Sequence, residues 1–143
     1  MIDFCLQYTL FRSRLCEIRD RLHDALDEDH LKNADMFDIT RTAFPTSKHP
    51  NATMRALEKE LCAAEPPFLY LLFSLTELGM EITQGLVATD SPESLARIAA
   101  ETYQDLQKRA PSAAFLAQSL TEIKAEHALK RLTAAMRIMD HLR

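Results

Sequence analysis

Between Glu60 and Ala96 the chain carries no Lys, Arg or His, yet it holds Glu60, Glu65, Glu77, Glu81, Asp90 and Glu93. The same interval contains its longest apolar run, Pro66 to Phe73. A helix over residues 66–78 places Phe68, Leu71, Leu72, Leu75 and Leu78 on one side and Leu69, Tyr70 and Phe73 around the others. A helix apolar nearly all round is buried on more than one side. Any fold this chain adopts must therefore find cover for that helix. The run is far short of the ~20 apolar residues that span a bilayer, so no membrane partner is expected.

The punctuation around the run is specific. A short helix over 53–61 leads through a tight connection, 62–65, to a second helix that opens on Pro66-Pro67 and ends at Gly79. Pro in a first turn and Gly after a last turn are the favoured helix boundaries. Two helices joined this closely read as a helix-turn-helix. In DNA readers of that kind the second helix enters the major groove and needs basic or amide side chains. Here it offers acid, proline and aromatic residues, so architecture and side-chain chemistry point in opposite directions.

Composition bounds the rest. A chain of 143 residues with 47% apolar content is long enough for one folded domain, 1–143. Two Gly and six Pro beside abundant Leu, Ala and Glu predict a mainly α fold. The net charge of −4 gives no global attraction to phosphate backbones, although a local basic patch would suffice. Cys5, Cys16 and Cys62 form an odd set without framework spacing, which predicts reduced thiols. The first residues lack a basic stretch followed by an apolar one, so no secretory signal is expected and a soluble cytoplasmic protein is.

Residues 2–27 predict a first helix, with Phe4, Tyr8, Phe11, Leu15, Ile18, Leu22 and Ala25 in one stripe. Residues 27–33 read as a polar connection, and a second helix carries Met36, Phe37 and Ile39 before Pro45. Residues 44–53 are a loop in which Asn51 or Thr53 caps the next helix. Residues 80–89 have β-branched residues around Gly85 and predict a short hairpin. Asp90-Ser-Pro-Glu93 is a capping pattern for a helix to about Arg109, and Pro111 breaks the chain before a last helix over 112–142. The stripes of 2–27 and 112–142 look longer than a chain of this size can cover internally, which predicts a dimer through both.

No site chemistry stands out. His23, His30, His49, His127 and His141 form no metal motif, and no metal or cofactor is expected. Glu77 and Glu81, with Glu101 and Asp105, have the one-turn spacing that suits a hard cation. Gly79, between the first pair, is expected to break that helix. Without a nucleophile motif or a glycine-rich phosphate loop, an enzyme is not expected.

The order of elements is long helix, short helix, helix-turn-helix, wing-like hairpin, long helix, long helix. This resembles the MarR family of winged-helix regulators over nearly the full length. Leu31-Lys-Asn-Ala-Asp-Met-Phe-Asp-Ile-Thr-Arg41 resembles the family's stretch before the helix-turn-helix. Residues 53–79 resemble its DNA-reading core, with Leu57, Leu61, Leu72, Leu75 and Leu78 at packing positions. Leu75-Thr-Glu-Leu-Gly79 is close to the family's Leu-Glu-x-x-Gly ending, and residues 90–97 echo its wing. The chain departs from the pattern at Glu65, where a basic or hydroxyl residue is usual, and in the wing, which has no arginine before Arg97.

The resemblance implies a winged helix-turn-helix lobe, 34–97, between dimerisation helices 2–27 and 112–142, and a homodimer. It implies duplex DNA as partner, with Arg41, Lys48, Arg55 and Lys59 on phosphates and Pro67, Tyr70 and Ser74 on the second helix. It implies a small aromatic ligand lined by Phe11, Arg14 and Phe37, and a thiol at Cys62 that senses redox state or ligand. Against that, Cys62 also fits as a small buried hydrophobe, and the aromatics fit as packing. The leading expectation is a ligand-responsive transcription regulator. The alternative, favoured by the second helix itself, is a diverged winged-helix protein that has lost specific DNA binding and acts through protein contacts.

Overall fold

Helices begin where the sequence offers caps. The Asn51 side chain accepts the Met54 amide at 2.9 Å, and the Ser112 hydroxyl accepts that of Phe115 at 3.1 Å. Ser91 caps the amide of Ser94 in the same way. The computed structural model describes residues 2–34, 51–88 and 90–142, with the side chains of 2, 3 and 30–34 aside. Six helices account for nearly all of these: α1 Ile2–Ala34, α2 Ala52–Cys62, α3 Pro66–Thr83, α4 Pro92–Arg109, α5 Ala113–Thr121 and α6 Ala125–His141. The mainly α expectation holds. None of the helices is long and apolar enough to cross a membrane.

Helix α3 is the axis of the assembly. It packs against α6, α4, α1 and α5. Phe68, Leu71 and Leu75 are fully buried, and so is Ser74. Burying such apolar side chains stabilises by ~1.5–3 kcal/mol each relative to exposure. The two hydroxyls inside α3 cost little, because Ser74 donates to the Tyr70 carbonyl at 2.7 Å and Thr76 to that of Leu72 at 2.8 Å.

Four sequence expectations change. First, the two helices joined through residues 63–65 find their main neighbours elsewhere: α2 packs chiefly on α5 and α1, and α3 on α6 and α4. Second, the hairpin over 80–89 is not formed. Residues 80–83 continue α3, residues 84–88 are turn and bend, and there is no strand among the described residues. Third, α1 runs on through the polar stretch 27–33, where there is no Gly or Pro to stop it. The second helix expected from 34 lies outside the described residues. Fourth, the last helix is two. The Thr121 hydroxyl bonds back to the Ala117 carbonyl at 2.9 Å, and Lys124 takes an extended ψ of 138°. The break lets α5 reach α2 while α6 lies on α3 and α1. The stop at Pro111 is as expected, with Ala110 in the left-handed region at φ 47°.

The stripes predicted to need a second copy are covered at home. Phe4, Tyr8, Leu15, Ile18, Leu22 and Ala25 are buried within the chain, as are Leu116, Leu120, Leu132, Met136 and Met139. The length of the stripes is therefore no argument for a dimer.

Gly79 explains why α3 does not stop where the sequence suggests. It lies inside the helix at its crossing with α6, where an added Cβ would stand 1.9 Å from the Arg131 carbonyl oxygen. The contact is backbone on backbone, so no side-chain rotation can relieve it. Overpacking costs ~1–3 kcal/mol, and Gly79→Ala should reach about 3 kcal/mol despite the ~1 kcal/mol of helix propensity alanine gains. At Gly85, with φ 70° and open space around it, alanine meets only the backbone term, ~1–2 kcal/mol. Urea denaturation of the two variants checks the order; Gly79→Ala as stable as the parent would contradict the crossing.

Candidate functional site

Two polar constellations fix the first helix, one to the last helix and one to α2. At one end, Tyr8 and Arg12, one turn apart on α1, meet Asp140 on α6. The Tyr8 hydroxyl donates to Asp140 Oδ1 at 2.5 Å. Arg12 donates from Nε to Oδ1 at 2.8 Å and from Nη2 to Oδ2 at 2.9 Å, a two-pronged grip. Arg12 Nη1 also approaches Cys16 Sγ at 3.8 Å. Burial, then the bond to the Asp140 carboxylate, push the Tyr8 hydroxyl well above its ordinary range, and Asp140 holds Arg12 more firmly protonated. Tyrosine, arginine and aspartate could in principle pass protons, but here each is spent on another. The phenol is held as a donor and the carboxylate accepts from both partners, so these three side chains serve one another. The arrangement is a clamp.

At the other end, α1 receives the start of α2. Asn51, buried, donates from Nδ2 to the Ala25 carbonyl at 2.7 Å and to Asp29 Oδ1 at 2.6 Å while capping α2. The Glu28 carboxylate accepts the amides of Ala52 at 2.6 Å and Thr53 at 3.1 Å, and the Thr53 hydroxyl at 2.7 Å. A carboxylate at a helix N-terminus satisfies free amides and complements the dipole. Arg21 on α1 and Glu60 on α2 form an ion pair further along.

The expected site residues do not gather. Arg41, Lys48 and Phe37 lie outside the described residues. Arg55 is half-buried and Lys59 exposed on α2. Pro67 is exposed at the start of α3, but Ser74 is wholly buried and Tyr70 is half-buried, edge-on to Tyr103 at 6.2 Å. Ser74 therefore lies on the inward face of the helix, while Pro67 and Tyr70 lie on its partly open side. Phe11 and Arg14 lie on Phe68, one edge-on at 5.4 Å and the other with its guanidinium 4.2 Å from the ring centre. That is the packing arrangement, with cation–π attraction added. A small cavity of ≈ 20 Å³ is lined by Ile18, Leu57, Leu72, Thr76, Thr121 and neighbours. It holds about one water and no aromatic acid. Cys62 is exposed rather than buried.

Glu77 and Glu81 do stand on one unbroken helix, contrary to the expected break at Gly79. They are half-buried, whereas Glu101 and Asp105 on α4 are exposed and Asp105 is paired with Arg109 at 2.5 Å. Among the described residues the metal-capable side chains that come together are His23, Asp24 and Asp27, all exposed on one turn of α1. His23 and Asp27 are 3.6 Å apart, an ordinary one-turn pair.

A feature missed by the sequence reading is a groove along α6. One depression is lined by Thr83, Gln84, His127, Lys130 and Arg131, and an adjoining one by Thr83, Leu129, Lys130, Thr133, Ala134 and Arg137. Its signal was present as Lys130, Thr133, Ala134 and Arg137 at three- and four-residue steps. The hydrophobic pattern drew attention to the opposite face.

Set against protein-family models, curated proteins and solved structures, the chain matches none of them. The MarR-like resemblance rests on the residue pattern alone.

The clamp at Tyr8 has a pH signature. A hydroxyl whose folded pKa is raised contributes stability that is complete below its unfolded value near pH 10 and is lost as pH rises further. In an alkaline absorbance titration of the three tyrosines, Tyr8 should ionise only together with unfolding. Tyr8→Phe should lose about 1.5 kcal/mol at neutral pH and narrow that gap in alkali. Three tyrosines titrating together in the folded protein would contradict the clamp.

Proposed function

We propose that this chain is a non-enzymatic helical interaction protein, working through protein contacts rather than by reading DNA. The observation that carries the reading is the position of α3. The helix that would have to enter a major groove has Phe68, Leu71, Ser74 and Leu75 fully buried under α1, α4, α5 and α6. Nothing basic is available in its place, since residues 61–96 contain no Lys, Arg or His. Direct readout needs bidentate contacts worth ~1–3 kcal/mol each. Arg55 and Lys59 would supply only positioning contacts to phosphate, which carry no sequence information.

The mutual pairing of the clamp side chains and the small size of the apolar cavity support the same reading. Homodimerisation, if it uses the first helix, falls on another face than the stripe: Leu6 and Leu10, one turn apart, are 52% and 64% exposed.

Selection from a random duplex pool decides between this reading and a DNA-binding regulator. At ~0.15 M salt the protein should enrich no motif, and weak binding at low salt should fall away as salt rises. A nanomolar complex footprinted on a palindrome would restore the regulator.

A further inference from the structure

We propose that the groove along α6 is the docking surface, and that its occupant is an acidic α-helical segment of a partner protein. This deepens the reading above and rests on it.

The groove is an open trough, ≈ 470 Å³ in its larger part, with Thr83 as one wall and α6 as the other. Along its floor Thr133 and Ala134 are small, which lets another helix approach closely. From Lys130 to Arg137 the cations extend over ~10 Å of helix at ~1.5 Å per residue. A compact anion such as phosphate needs cations converging on one point; a row spread over about two turns suits an elongated partner.

Part of this charge has a job inside the fold. Helix α3 has no basic residue in its own last turn. Lys130 and Arg131 line the depression at its C-terminal end, beside His127, and supply the positive charge that free carbonyls favour. Arg137 lies about two turns further on, away from that end. Among the described residues neither Arg131 nor Arg137 has an ion-pair partner, while Lys130 holds Glu126 at 3.2 Å. Unpaired cations beside a small-residue floor, on a chain of net charge −4, form a local exception with a defined complement. No aromatic side chain lines either depression, so there is no platform on which bases would stack, which separates this surface from a single-stranded nucleic-acid groove.

The test uses the full chain and a labelled alanine-based helical peptide with glutamates along one face. Lys130→Glu/Arg137→Glu reverses two exposed cations, and circular dichroism reports whether the variant keeps its fold. Fluorescence anisotropy should show salt-sensitive binding of the glutamate peptide, weakened at least ~tenfold by the double variant and by glutamine in place of glutamate. Equal binding of the glutamine peptide, or no effect of the charge reversal, overturns the proposal. So does an oligonucleotide that binds tighter than the peptide and is lost in the same variant, or a change in the oligomeric state of the variant alone. A negative peptide result with no motif from the duplex selection removes the groove only; a palindromic operator removes both readings.

Discussion

Everything in this fold depends on the close approach of α3 and α6 at Gly79. The two backbones come nearer than any side chain allows, with the place of a Cβ only 1.9 Å from the Arg131 carbonyl oxygen. That contact draws the most apolar helix of the chain onto the last helix, α6. It leaves further faces of α3 to α1, α4 and α5, so that most of its apolar surface is covered, while Tyr70, Phe73, Glu77 and Glu81 remain half-buried along one side.

Around this axis the termini are fixed by polar contacts that hydrophobic patterning does not specify. Asp140 gathers Tyr8 and Arg12 across the whole length of the chain, and Asn51 with Glu28 holds α2 against α1. Both clamps choose register rather than supply bulk stability. Burial of Leu and Phe side chains would tolerate α1 sliding on α6; a two-pronged arginine–carboxylate pair would not.

Much of the architecture was legible in the sequence. The stripe from Phe4 to Ala25 is the buried face of α1, and the Asn51 and Ser91 caps and the stop at Pro111 are where the residues put them. What misled was Gly79. A glycine after a leucine-rich helix reads as a stop, and a stop there leaves residues 80–89 free for a hairpin. Its use instead is a long-range crossing, which no local pattern records. The break near Thr121 was hidden for a similar reason, because apolar spacing continues across it while the two halves pack on different neighbours. The candidate surface was equally obscured. Lys130 and Arg137 form a trough only together with Thr83, far away in sequence.

The central claim is that residues 66–83 form an enclosed core helix, and thiol accessibility at Ser74 tests it most directly. The native Cys5 and Cys62 are exposed and serve as internal standards. A cysteine replacing Ser74, which is fully buried, should add no fast-reacting thiol under native conditions and should react only at the rate of global unfolding, whereas Pro67→Cys, at the exposed end of the same helix, should add one. A thiol at position 74 that reacts as quickly as Cys62 in the folded protein would contradict the account and return α3 to the surface.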